Sequence, residues 1–438
     1  MYLSIDKTLR KLTYALWLLS GLAHADKLSL EQAIHLANIN NPELQALQHQ
    51  SEAAAAQIPI AGALPDPKAQ FTYFGESVET RTGPQEAIYS LSQTIPWLTK
   101  LHTRTALASY DADSIARIHE AGQRRIEEAV TTSYTDLAYY TEAVNSTRAN
   151  LQWLEDSRAI VEEQVRAGAS LNALLRLEVE MERSRDRLDQ FKQQQFAQRA
   201  RLSALTGIDP QQLENLAKTD LPAPHHTPRS QLHSALIQHN PELHMLKSRI
   251  QSRQAQTELS KLDRYPDITL GINYIQVGNQ STARDAGRDP WNLSLAVNLP
   301  IWEGKNRAAI QSAQSVERAA MAHYYNRLQQ LKAELSATLA QHADSLSRIQ
   351  RYREKLIPLA EQALENSRAA YQSGQIELLE IIDSQRALLG LQLSQQRAIA
   401  DALQAEARIK RLIGNSHPQQ PTGQTHVPND QPAPAKQG

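Results

Sequence analysis

The chain has no cysteine among its 438 residues. That excludes disulfides, thiolate metal ligands, a cysteine nucleophile and a cysteine-linked lipid anchor. It also lacks a charge surplus, with 46 Lys+Arg against 47 Asp+Glu. A duplex binder needs excess basic charge, so no nucleic-acid partner is expected. Glycine is scarce, and beyond the first 25 residues no run is apolar enough for a membrane-spanning helix. There is no phosphate loop, no HExxH and no nucleophile elbow. The expectation is a protein that is not an enzyme and has no cofactor and no resident metal. His225-His226 lies in a proline-rich stretch where exposed polar residues are the plain reading. His342 sits in a leucine row and reads as packing rather than ligation.

What the chain has in abundance is helix-forming sequence, and it is organised around Asn306 to Ser373. That stretch holds no glycine and one proline, Pro358. Leu328, Leu331, Leu335, Leu339, Leu346 and Ile349 recur at steps of three and four, with His342 in the same row. At about 1.5 Å per residue, one helix of that length spans roughly 100 Å. A globular domain has no use for such a rod.

The N-terminus has the pattern of an export signal. Lys7, Arg10 and Lys11 precede a short apolar core, Leu12 to Leu22, and Ala23-His24-Ala25 is a small-x-small cleavage site. Residues 1–25 are read as a signal peptide. The other reading, a membrane anchor, needs about twice the apolar length.

The mature sequence is duplicated. Asn41-Pro42-Glu43-Leu44 returns as Asn240-Pro241-Glu242-Leu243, and Pro65-Asp66 as Pro266-Asp267. Ile95-Pro96-Trp97 with Lys100 returns as Leu299-Pro300-Ile301-Trp302 with Lys305. Gly168 matches Gly374, and Leu205-Thr206-Gly207 matches Leu412-Ile413-Gly414. Five matches in one order at an offset of about 200 residues indicate two copies of one unit. The units are 26–229 and 230–415, followed by a tail, 416–438, whose proline, glutamine and asparagine content predicts disorder or loose packing.

Each unit carries two stretches that alternate at period two: Ala69 to Phe74 and Ala87 to Thr94, then Ile268 to Gln276 and Asn292 to Leu299. One face is apolar and the other small and polar, as in Leu270, Ile272 and Tyr274 against Thr269, Gly271 and Asn273. Two readings fit: half-buried hairpins on a soluble core, or strands with lipid outside and water inside. Four strands cannot close a barrel, and an open edge cannot sit in lipid. In a membrane, several chains must therefore share one barrel, built from 68–96 and 267–299.

Long helices follow each strand pair, Leu101 to Arg166 and Asn306 to Ser373. Return helices run from Ser170 to Leu205 and from Gln375 to Leu412. The return distance can be recovered only by stacking two shorter helices end to end. Chain order suggests Ser170–Leu205 with Ser230–Asp263, and Gln375–Leu412 with the N-terminal helix Leu28–Ile60.

The duplication, Gln93-Thr94-Ile95-Pro96-Trp97 with Lys100, Pro300-Ile301-Trp302-Glu303-Gly304-Lys305, and Tyr371-Gln372-Ser373-Gly374 resemble the outer membrane efflux protein (TolC-like) family. The resemblance covers about Leu28 to Gly414. It implies a mainly α fold with a small β part: duplicated coiled-coil hairpins plus four strands contributing to a trimeric twelve-stranded outer-membrane β-barrel. It implies a homotrimer in outer-membrane lipid and a long periplasmic extension. It further implies a passive exit duct served by a periplasmic adaptor (membrane fusion) protein and an inner-membrane efflux pump. Ala63-Leu64-Pro65-Asp66-Pro67 is similar to members serving heavy-metal cation exporters. A different class also fits the helices: an exported coiled-coil scaffold with no channel.

By the same resemblance, Glu380 and Asp383 match acidic rings at a pore tip formed with Gly374, Tyr371, Gly168 and Arg176. Carboxylate rings concentrate cations in a narrow pore. The alternative is a solvated helix start, where carboxylates also suit the helix dipole. Ile376 stands where the best-known member has an arginine, so an arginine lock there needs another donor: Arg166, Arg368 or Arg176.

Overall fold

A computed structural model describes residues 28–168, 170–215, 229–278 and 287–414. The expected signal peptide, His225-His226 and the C-terminal tail lie outside these residues. Two short helices open the chain, α1 (Leu30–Asn40) and α2 (Pro42–Gly62). Strands β1 (Lys68–Val78) and β2 (Gln85–Ile95) lead into α3 (Leu98–Arg166), 69 residues long. The return is α4 (Leu171–Thr206). The second half repeats the order: α5 (Arg229–His239), α6 (Pro241–Leu262), β3 (Ile268–Val277), β4 (Trp291–Val297), α7 (Glu303–Arg351), α8 (Ile357–Gln372) and α9 (Leu378–Ile413). The last strand stops two residues short of the expected Leu299.

The heptad spacing explains the rods. Along α3 the buried apolar residues include Ile126, Val130, Tyr134, Leu137, Val144, Leu151, Leu154 and Val161. Ile126, Val130, Tyr134 and Leu137 pack with α1, α2 and α4, and Val144, Leu151, Leu154 and Val161 pack with α4, α8 and α9. The second rod is not one uniform α-helix. Between α7 and α8, Tyr352–Leu356 winds as a π-helix, and the Ile357 amide reaches the Tyr352 carbonyl. The cause is Pro358, whose ring cannot sit over the carbonyl four residues earlier. A one-turn π insertion absorbs that conflict while the rod continues. His342 is buried in the seam beside Leu335 and Leu339, as its place in the leucine row indicates.

The stacking order differs from the one chain order suggests. Asn41 accepts from the amides of Glu43 and Leu44, at 3.0 and 3.4 Å, and donates to the Leu205 carbonyl at 3.1 Å. Asn240 accepts from Leu243 N–H at 3.0 Å and donates to the Leu412 carbonyl at 2.9 Å. Each asparagine thus caps the start of one helix and the end of the helix below it. So α4 stacks under α2, and α9 under α6; neither return helix continues into the helix expected from chain order. The strand order supplies the reason. α2 feeds β1, which pairs with β2, from which α3 descends; both pieces of the splice therefore lie along the long helix of their own half.

Asn240 is 1% exposed. Asn240→Ala leaves an uncapped helix start and an unpaired carbonyl, costing about 1–3 kcal/mol. The expected result is a lower midpoint of thermal unfolding in detergent, followed by helical circular dichroism, with an unchanged spectrum at room temperature.

The four strands form one antiparallel sheet in the order β1-β2-β3-β4. Its register sorts the side chains into rows. Phe71, Tyr89, Tyr274 and Trp291 are cross-strand neighbours in one row, and Ala69, Leu91, Ile272 and Leu293 in the next on the same face. The opposite face carries Lys68, Ser92, Gly271 and Ser294, then Gln70, Ser90, Asn273 and Asn292. Phe71 and Tyr89 rings lie 5.1 Å apart, and Tyr89 and Tyr274 6.3 Å. Apolar side chains of β1 to β4, Leu293 and Leu295 above all, are exposed. No helix among the described residues is long and apolar enough to cross a membrane.

Candidate functional site

The end of the molecule farthest from the sheet is made by two helix reversals. α3 ends at Arg166, and Gly168 takes a positive φ of 105°. Ser170 then caps α4 by accepting from Asn172 N–H at 3.3 Å. In the second half, Gly374 takes φ 73° and its amide returns to the Tyr371 carbonyl at 2.9 Å. A side chain at either glycine would be strained in this conformation. The two reversals share one core, in which Val161, Leu177 and Met181 of the first half meet Leu364, Leu378 and Ile382 of the second.

Polar contacts tie the halves together above that core. Gln164 Nε2 donates to Tyr371 Oη at 2.7 Å. Arg386 pairs with Asp383 on its own helix at 2.7 Å and with Glu180 on α4 at 3.3 Å. Arg176, Glu180, Asp383 and Arg386 line one cleft between α4 and α9. Gly374 and Tyr371 line the adjoining one with Gln164. The six residues picked out from sequence thus fall at one end of the molecule. Glu380 and Asp383 are exposed on α9, while Ile381 and Ile382 between them are buried.

The candidate lock residues resolve differently. Arg166 pairs with Glu163, and Arg368 with Glu365, each within its own helix. Arg176 has no acidic partner among the described residues. The arginine that bridges α4 and α9 is Arg386, which the sequence reading missed along with Glu180 and Gln164. Arg386 was within reach, since it stands three residues after Asp383 on a helix. Glu180 and Gln164 come from other elements and carry no local signal.

At the other end of the rods, where the sheet meets the helices, Lys100 is 3% exposed. Its Nζ lies 2.9 Å from Asp267 and 2.8 Å from the Tyr265 carbonyl. The Trp97 amide donates to Asp267 at 3.1 Å, and the Trp97 ring stacks on Tyr265 at 5.3 Å. Burial alone would raise the Asp267 carboxyl. The hydrogen bonds from Lys100 and Trp97 and the charges of Lys100 and Arg104 outweigh it and hold the carboxyl below its ordinary value. This contact joins the two repeats. Lys100 follows β2, Asp267 precedes β3, and β2 pairs with β3.

An apolar sheet face with an aromatic row, a small polar reverse face and long helical rods define a subunit of an outer-membrane channel with a periplasmic extension. The comparisons agree. Residues 232–415 match the model of the outer membrane efflux protein family. Nodulation protein T of Rhizobium leguminosarum bv. viciae is 25% identical over 88% of this chain and 82% of its own. The cobalt-zinc-cadmium resistance protein CzcC of Cupriavidus metallidurans is 23% identical over 89% of this chain and 91% of its own. A crystal structure of CusC superposes with a TM-score of 0.76 at 18% identity, covering 88% of this chain and 92% of that one. Over its second half, the chain resembles the outer membrane efflux protein family. It is an outer-membrane channel component of an efflux system, and the family is one of channels.

Proposed function

We propose that the protein is the passive exit duct of a tripartite efflux system. Three copies share one twelve-stranded barrel and extend it as a helical tunnel toward an inner-membrane pump and a periplasmic adaptor. The two unpaired edges of the sheet carry this reading. Among the described residues, β1 and β4 each leave one row of backbone donors and acceptors without a strand, while the apolar side chains beside them face outward. Lipid cannot satisfy those groups, and pairing β4 with β1 of another copy can. The aromatic row Phe71, Tyr89, Tyr274 and Trp291 suits one membrane interface, and the exposed rings of Trp97 and Trp302 suit the other. The Gly168 and Gly374 reversals are the surface offered to the adaptor. Heavy-metal cations are the proposed cargo, supported by the Ala63-Leu64-Pro65-Asp66-Pro67 stretch and the likeness to CzcC.

At the tip, Glu380 and Asp383 repeat three times around the axis and form the acidic constriction. Arg386 holds α9 against α4 through Glu180, so it keeps the constriction narrow. Purified protein in planar bilayers tests both roles. Arg386→Ala is expected to raise single-channel conductance several-fold, because the bridge to Glu180 is lost. Glu380→Gln combined with Asp383→Asn is expected to lower cation over anion selectivity at unchanged fold. An unaltered conductance and selectivity in both variants would place the constriction elsewhere.

A further inference from the structure

The buried junction of Lys100, Asp267 and Trp97 has a second copy in the sequence that the single chain leaves unmade. Asp66 corresponds to Asp267, Leu64 to Tyr265, Trp302 to Trp97 and Lys305 to Lys100. In the first set, the strand that precedes the lysine pairs with the strand that follows the aspartate. In the second set those strands are β4 and β1, the two opposite edges of the sheet. With strands about 4.8 Å apart, three spacings separate them, so Lys305 cannot reach Asp66 of its own chain. Both residues are exposed, and among the described residues neither side chain has a partner. Trp302 is 71% exposed and Leu64 48%, against the stacked pair Trp97 and Tyr265.

We infer that Lys305 and Trp302 of one copy clasp Asp66 and Leu64 of the next, repeating between subunits the contact that Lys100 makes within one. The occupant of this surface is a second copy of the chain. The complementary groups are a cation with an apolar ring on one edge and an anion with an apolar side chain on the other. Continuing the sheet across the edge brings them together at the spacing already seen at β2 and β3. The clasp rests on the shared-barrel reading above and adds to it. It sets the subunit register at the foot of the barrel, since a slip of one residue would move Lys305 away from Asp66. It also explains why Pro-Asp and Trp-x-x-Lys occur twice in a chain that uses each pair only once internally.

The absence of cysteine makes a direct test available. Asp66→Cys and Lys305→Cys are introduced together, and the assembled protein is treated with a short bifunctional thiol reagent. Covalent dimers and trimers on a denaturing gel are expected from the double variant, and none from either single variant. A product linked only within one chain, or no product from a protein that sediments as a trimer, overturns the clasp and leaves the duct reading standing. A parent protein that sediments as a monomer in mild detergent removes the trimer itself, and both readings fall. Charge exchange supplies the second measurement. Lys305→Asp and Asp66→Lys should each lower the temperature at which the trimer dissociates, and the two together should restore it. Equal losses that add in the double variant would overturn the pairing.

Discussion

Asp267→Ala is expected to destabilise the subunit by about 3 kcal/mol, near the lower end of the ~3–5 kcal/mol typical of breaking a buried ion pair. The cause is what stays behind. Lys100 is almost wholly buried, and without Asp267 its ammonium keeps, among the described residues, only the Tyr265 carbonyl. Asp267 itself is 26% exposed at its side chain, which places the cost at the low end. The variant also frees the Trp97 amide and loosens the joint between β2 and β3. Thermal unfolding in detergent should show the loss, and Lys100→Met in the same chain should recover part of it by removing the stranded charge. A double variant no better than Asp267→Ala would deny that the penalty comes from Lys100. The same contact has a pH signature. Because the Asp267 carboxyl is held below its ordinary value, its contribution is fully present above that value of 3.8. It is lost as the pH falls from there through the lowered value. Unfolding midpoints of the parent should therefore drop more steeply below about pH 4 than those of Asp267→Asn.

The second large effect belongs to Arg411, near the end of α9 where four helices converge. Its guanidinium pairs with Glu128 of α3 and Glu334 of α7, and stands 3.7 Å from Glu242 of α6. Its side chain is 16% exposed. Burial pulls against its charged form, yet the Glu128 and Glu334 carboxylates hold its pKa above the ordinary arginine value. The cation therefore persists at every working pH, and so does the need to neutralise it. Arg411→Met keeps much of the packing volume but leaves these carboxylates facing one another. Arg408 remains on Glu128 at 2.9 Å and Arg327 on Glu242 at 2.6 Å. Glu334 is left with the least compensation. A loss of about 3–5 kcal/mol follows from the uncompensated charge. Arg411→Met with Glu334→Gln should be more stable than Arg411→Met alone. Failure of that second change to help would mean the network contributes through packing only.

These two sites differ in how they could be read beforehand. Lys100 and Asp267 were visible as members of repeated motifs, because a duplication marks residues that both copies keep. Their partnership was not visible, since it crosses from one repeat to the other. Arg411 gave no signal at all. It sits at the end of an ordinary helix, and its importance comes from carboxylates on three other helices. The tip shows the same division. Tyr371, Gly374, Glu380 and Asp383 were picked out through the family resemblance, and the structure gathers them at one end. Gln164 and Glu180 entered only when the two reversals were seen to share a core.

The amino-acid order by itself determined the rods, the four two-faced strands and the doubling, because heptad spacing, alternation and repeated motifs are properties of near neighbours in the chain. Only the tertiary structure decided which short helix sits on which. Asn41 and Asn240 each choose a carbonyl far away in sequence, and nothing in the surrounding residues names that carbonyl. It also decided that the rod passes Pro358 through a π turn rather than breaking. Local periodicity is written every few residues. A hydrogen bond or ion pair between distant segments depends on where the sheet has already placed them.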